Sequence, residues 1–137
     1  MKPVIQEEIS GCGIACVAVL ARVSYRRAKA VANRRGIFAE DERLWSETAY
    51  VRGLLRHFGI RTARDEQPFT TWDSLPNVAL LAIKWHEVQG RPFWHWVVFA
   101  RQGNGAVVFD SKRGLCQHVR TDLGRITPKW SIKVHLP

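Results

Sequence analysis

The sequence predicts an α+β fold in which N-terminal helices pack on an antiparallel sheet, and three observations carry that prediction. Apolar residues follow a helical period in the first half of the chain and a strand period in the second. The strongest turn signal, Gln102-Gly103-Asn104-Gly105, joins two of the expected strands directly, as an antiparallel hairpin requires. No Pro/Gly/Ser-rich linker or internal repeat divides the 137 residues, so a single domain over 1–137 with one core is expected.

The elements follow in order. From Cys12 to about Val23 the residues are apolar on nearly every side (Ile14, Ala15, Cys16, Val17, Ala18, Val19, Leu20), which suits a helix at the centre of a core. Ser24 is a fitting N-cap for a second helix that runs to Arg35 and stops at Gly36. A third helix is expected from Glu47 to Phe58, where Val51, Leu54, Leu55 and Phe58 repeat at helical spacing and Gly59 follows the last turn. After a loop at Asp65 to Pro76, the run Val78 to Ile83 reads as a buried strand. Trp94 to Phe99 and Ala106 to Phe109 read as the two hairpin strands, and Ser131 to Leu136 as the last. Trp94 and Trp96 alternate with His95, so they belong to the opposite face and to the core.

Composition narrows the function classes. Hydrophobic residues make up 46% and charged residues 24%, with no run approaching the ~20 apolar residues of a membrane span. Carboxylates at Glu7 and Glu8 stand where a signal peptide needs its apolar stretch, so a cytoplasmic location is expected. The three cysteines then read as free thiols. Lys and Arg outnumber Asp and Glu by 21 to 12, a net charge of +9, with Arg22, Arg26, Arg27, Lys29, Arg34 and Arg35 close together. These read as a solvated helix face; without a nucleic-acid motif the charge specifies no such partner.

Chemistry enters at Cys12. It falls in the first turn of the buried helix, where unpaired backbone N–H groups and the positive dipole end favour a thiolate. Cys16 lies one turn on, beyond most of the dipole's influence, and Cys116 falls in a loop. Of His57, His86, His95, His118 and His135, only His95 opens a strand whose hairpin partner ends in a carboxylate, Asp110. Register decides whether they meet. If the loop centres between Gly103 and Asn104, Asp110 stands opposite Val97, on the face of His95 and diagonal to it. If Asn104-Gly105 is the turn instead, Asp110 stands opposite Phe99 and the contact fails.

A Cys–His–Asp set is what nucleophilic acyl transfer needs: the thiol attacks, the imidazole moves the proton, and the acid fixes tautomer and orientation. Gln6, six positions before Cys12, is placed to offer its amide to an oxyanion beside the Cys12 N–H. Cys12 and Cys16 at i and i+4, with His95 or His86, lack the tight ligand pairs of a structural zinc site, so no metal or cofactor is expected.

These residues carry a resemblance. Gln6, the run Gly11-Cys12-Gly13-Ile14-Ala15-Cys16, His95-Trp96-Val97-Val98 and Asp110-Ser111-Lys112-Arg113-Gly114 together resemble the bacteriocin-processing cysteine peptidases. Those are the peptidase domains at the N-terminus of double-glycine-leader ABC exporters, and the likeness spans essentially the whole chain. It implies a papain-like fold, with Gln6 as oxyanion donor, Cys12 as nucleophile, His95 as base and Asp110 as orienting acid. It also implies a peptide or protein substrate, cut after a small-residue Gly-Gly leader. Gly11 stands where that family commonly has Asp, and Ser111 where it commonly has Pro. With no membrane segment to Pro137, an exporter is expected only as a separate subunit. An acyl or peptidyl transferase working through the same thioester, and a non-catalytic peptide-binding module, are the alternatives.

Overall fold

In the computed structural model, which describes residues 1–137, three helices precede the sheet. Helix α1 (Cys12–Ala21) is buried from Cys12 through Leu20, as its all-round apolar sequence demands. It ends at Ala21 rather than Val23, because Arg22 adopts a left-handed conformation (φ 57°, ψ 42°) and Val23 N–H turns back to the Ala18 carbonyl at 3.0 Å. A non-glycine residue makes this cap, so the sequence gives no sign of it.

Helix α2 (Tyr25–Arg34) starts where expected: the Ser24 hydroxyl accepts from Arg27 N–H at 3.1 Å. Tyr25, Ala28, Val31 and Ala32 are its buried face, and the arginines lie on the outer one. A 3₁₀ turn at Glu42–Ser46, capped by Asp41, was not expected. Helix α3 (Ala49–His57) is shorter than the expected Glu47 to Phe58 and packs Tyr50, Val51, Leu54 and Leu55 inward.

The strands are β1 (Arg61–Thr62), β2 (Gln67–Pro68), β3 (Val78–Val88), β4 (Arg91–Gln102), β5 (Gly105–Phe109), β6 (Val119–Arg120) and β7 (Pro128–His135). They form an antiparallel sheet ordered β1-β7-β3-β4-β5-β6, with β2 also on β7. Strands β3 and β4 are longer than the runs expected at Val78 to Ile83 and Trp94 to Phe99. A tight turn at Gln89 (φ 53°) and Gly90 (φ 80°) joins them, both residues in the positive-φ region that suits hairpin twist. His95 therefore lies within β4 rather than at its start. No helix is long and apolar enough to cross a membrane.

Both faces of the sheet are covered, which explains the unbroken apolar run in β3. On the helix side, Leu80, Ala82, Trp94, Trp96, Val98 and Ile132 join α1, α2 and α3 in one buried cluster. On the other, Leu81, Ile83, Val97, Phe99 and Val108 pack under Leu75 and Ile126 from the loops. Trp94, Trp96 and Trp130 meet edge to face, with centroids 5.1–5.8 Å apart, at the end of the sheet nearest the site.

Candidate active site

Helix bonding in α1 begins with Ala15 N–H to the Gly11 carbonyl at 3.0 Å, so the N–H groups of Cys12, Gly13 and Ile14 have no partner within the helix. The Cys12 thiol is buried against β4, where Trp96 N–H donates to Sγ at 3.5 Å. The glycines on either side are required by close approach. A Cβ on Gly11 would lie 2.2 Å from Tyr25 Oη, and one on Gly13 2.0 Å from Tyr50 Oη. Tyr25 donates in turn to Glu8, which Lys29 also engages, so the Gly11 position, where the family in question commonly has Asp, is filled by a tyrosine from α2.

Opposite Cys12, the β4–β5 hairpin decides the register. Gln102 pairs with Gly105 and Val98 with Phe109, which centres the turn on Gly103 and Asn104. Gly103 has φ 58°, as the first central residue of a type II′ turn requires. Asp110, just beyond β5, thus reaches His95 diagonally, and His95 Nε2 lies 2.8 Å from Asp110 Oδ1. That Oδ1 also accepts Lys112 N–H at 3.1 Å, and Oδ2 accepts Arg120 Nη1 at 3.1 Å. The carboxylate is wholly enclosed, and each oxygen has a donor.

Arg120 was not foreseen. Its Nε and Nη2 are held by Asp122 at 3.0 and 2.9 Å, so Asp122, Arg120, Asp110 and His95 form one chain of charge-assisted bonds. Nothing in its sequence spacing marks it out. His118 holds the Asp110 backbone, its Nδ1 2.8 Å from the Asp110 carbonyl.

Electrostatics follow from these contacts. Burial alone would lower the His95 pKa, but the hydrogen bond to Asp110 and the adjacent Cys12 outweigh it and raise the value to about 9. For Asp110, burial acts upward and is overcome by His95, Lys112 N–H and Arg120, which together hold the carboxyl well below its usual range. Burial first, then the charges of Cys12 and Asp110, push the Cys16 thiol far up.

Gln6 lies beside Cys12 on the wall of the same cleft, but its amide is engaged locally. Nε2 donates to the carbonyls of Glu8 (2.8 Å) and Ile9 (2.9 Å), while Oε1 accepts from Ser111 Oγ at 2.9 Å. Gln6 N–H also donates to the Ser111 carbonyl at 3.0 Å. Ser111, where the same family commonly has Pro, thus ties the loop of Gln6 to the segment that follows β5. In this arrangement both amide hydrogens have partners, so donation to an oxyanion requires one to be released.

The cleft has a volume of about 720 Å³ and is lined by Gln6, Cys12 and His95 together with Ile9, Trp45, His86, Val88 and Phe93. His86 stacks on Phe93 with centroids 5.8 Å apart, and Trp45 meets Phe93 edge-on at 6.0 Å. A second hollow of about 820 Å³ lies beyond Lys84, towards Arg120 and Lys129, and touches neither Cys12 nor His95. His57 at the end of α3 and His135 on β7 line neither hollow.

The fold has a known counterpart. A double glycine motif protease from an AMS/PCAT transporter, solved in complex with the leader peptide, superimposes with a TM-score of 0.56 at 16% identity, covering 99% of this chain and 91% of that one. The chain therefore has the α+β fold of papain-like peptidase domains. No family model matches it, and no curated protein does.

Proposed function

We propose that residues 1–137 act as one cysteine peptidase domain that hydrolyses a peptide bond through Cys12, His95 and Asp110. The observation that carries this reading is a single imidazole held at Nε2 by a buried carboxylate, in a cleft whose wall also holds a helix-terminal cysteine. The shared fold with a protease that binds a leader peptide supports a peptide substrate, and we extend the reading to cleavage after small residues of the Gly-Gly type.

In this reading the Cys12 thiolate attacks the scissile carbonyl carbon, and the oxyanion that forms faces the N–H groups at the start of α1. As the C–N bond breaks, the His95 imidazolium gives its proton to the leaving amine, and a thioester remains. Water, losing a proton to His95, attacks that thioester, releases the acid and restores Cys12. Asp110 keeps the imidazole ring oriented throughout and stabilises its cationic form. A transferase differs only in the acceptor, and adding an amine nucleophile during turnover separates the two by product.

One observation favours the second reading, a peptide-binding module without turnover: the double engagement of the Gln6 amide. Iodoacetamide at neutral pH tests the chemistry directly. Cys12 should be alkylated much faster than Cys16 or the exposed Cys116, and His95→Ala should remove that selectivity. Equal rates at Cys12 and Cys116 in the folded protein would remove the activated nucleophile from the proposal.

A further inference from the structure

Strand β3 is interrupted at Lys84. Its pairing with β4 shifts register between Ile83 and His86, and Lys84 itself has φ 54°, a left-handed conformation that residues with a side chain seldom adopt. Bulges of this kind redirect a side chain out of the alternating pattern, often beside a functional site. Here Lys84 is brought to the wall of the Cys12–His95 cleft, and Lys112 stands on the same wall, its main-chain N–H bonded to Asp110.

Both lysine side chains thus border the same cleft. Neither is in an ion pair, although the cleft contains Glu7, Glu8 and Glu42, and Glu8 is taken by Lys29. Burial first, then Lys112, depress the Lys84 pKa, with Arg120 adding to the effect and the charge of Asp110 opposing it. Two like charges on one cleft wall are relieved by an anion that bridges them, and no carboxylate of the protein is ion-paired with either lysine.

Resting on the peptidase reading, we propose that Lys84 and Lys112 form a carboxylate-binding subsite of the cleft, selecting peptides with an Asp or Glu side chain or a free C-terminus near the scissile bond. Both sources present the same group to the lysines. The subsite ties the unusual backbone at Lys84 to substrate choice, separately from the chemistry at Cys12.

The test uses binding, so that it does not depend on turnover. Cys12→Ala protein is titrated with four forms of one fluorescent peptide: neutral and amidated, with a Glu placed at each position in turn, with a free C-terminus, and with both. At least one carboxylate form should bind about tenfold or more tightly than the neutral one, and the Glu and C-terminal arms identify which carboxylate is read. Adding Lys84→Gly and Lys112→Gln to this protein should abolish the difference. Glycine is chosen because it adopts φ 54° without strain, so loss of the side chain does not threaten the strand. Lys84→Arg should retain the preference. Equal binding of all four forms, no binding at millimolar peptide, or a preference that survives Lys84→Gly with Lys112→Gln would overturn the subsite. A preference that persists while wild-type protein cleaves no peptide would instead overturn the peptidase reading and leave the subsite intact.

Discussion

The two halves of the candidate site are built by different forces. Around Cys12 the constraint is steric: Gly11 and Gly13 leave room for Tyr25 and Tyr50, and every residue of α1 from Cys12 to Leu20 is buried. Around His95 it is electrostatic, a buried carboxylate with donors on both oxygens and an arginine anchored by a second acid. Position on the Cys12 side is thus set by what cannot fit, and on the His95 side by which charges are paired. The first arrangement should answer to volume and be indifferent to pH; the second should do the reverse.

The largest expected effect lies on the electrostatic side. Asp110→Asn should keep the fold and lower turnover by a factor between ~10 and ~10⁴, since tautomer control and imidazolium stabilisation are lost together. Full activity in this variant, measured as kcat/KM on a peptide substrate, would remove Asp110 from the orienting role. On the steric side, Gly13→Ala should cost ~1–3 kcal/mol of stability through overpacking against Tyr50, seen as a lower urea midpoint of similar size at pH 6 and pH 8. A loss that varies with pH across that range would mean the two halves are not separate.

Smaller effects sharpen the contrast. Because His95 holds its proton to about 9, activity should be retained through neutral pH and fall as pH rises through that value and the imidazolium is lost. Arg120→Met takes a cation from Asp110, leaving more of the carboxylate's charge to His95, so this alkaline limb should move upward. An unmoved limb in the Arg120→Met profile would reduce Arg120 to a packing residue. Smallest of all, Tyr50→Phe removes a buried hydroxyl that has no hydrogen-bond partner, and stability should be unchanged or higher by up to ~1 kcal/mol. A clear loss of stability would reveal a bond made by that hydroxyl.

The sequence was most informative where one local rule dominated. Helix α1 was legible because no side of it is polar, α2 because Ser24 caps it, and the β4–β5 hairpin because Gly103-Asn104 permits few other conformations. Its register stayed open between two choices that differ by one position in the turn, and only the formed ladder selects one. The β3–β4 hairpin was missed because Gln89 is an unusual residue for positive φ and Pro92 argues against a strand. The two-residue strands β1, β2 and β6 exist through their partners and have no periodicity of their own. The meeting of His95 with Asp110 could be expected from residue type and spacing in one of the two registers. The contacts of Arg120 and Ser111 and the backbone of Lys84 could not, because they depend on distant segments or on a backbone angle.

The burial of α1 gives the molecule an internal record of its own unfolding. Cys16 sits one turn behind Cys12 with no path to solvent that leaves the core intact, so a thiol reagent reaches it only when the whole helix is released. Amide protons in the middle of α1 are subject to the same opening and should exchange among the slowest in the chain. Measured beside Cys116 at the surface, the Cys16 labelling rate then reports how often the intact fold opens globally, with no probe introduced.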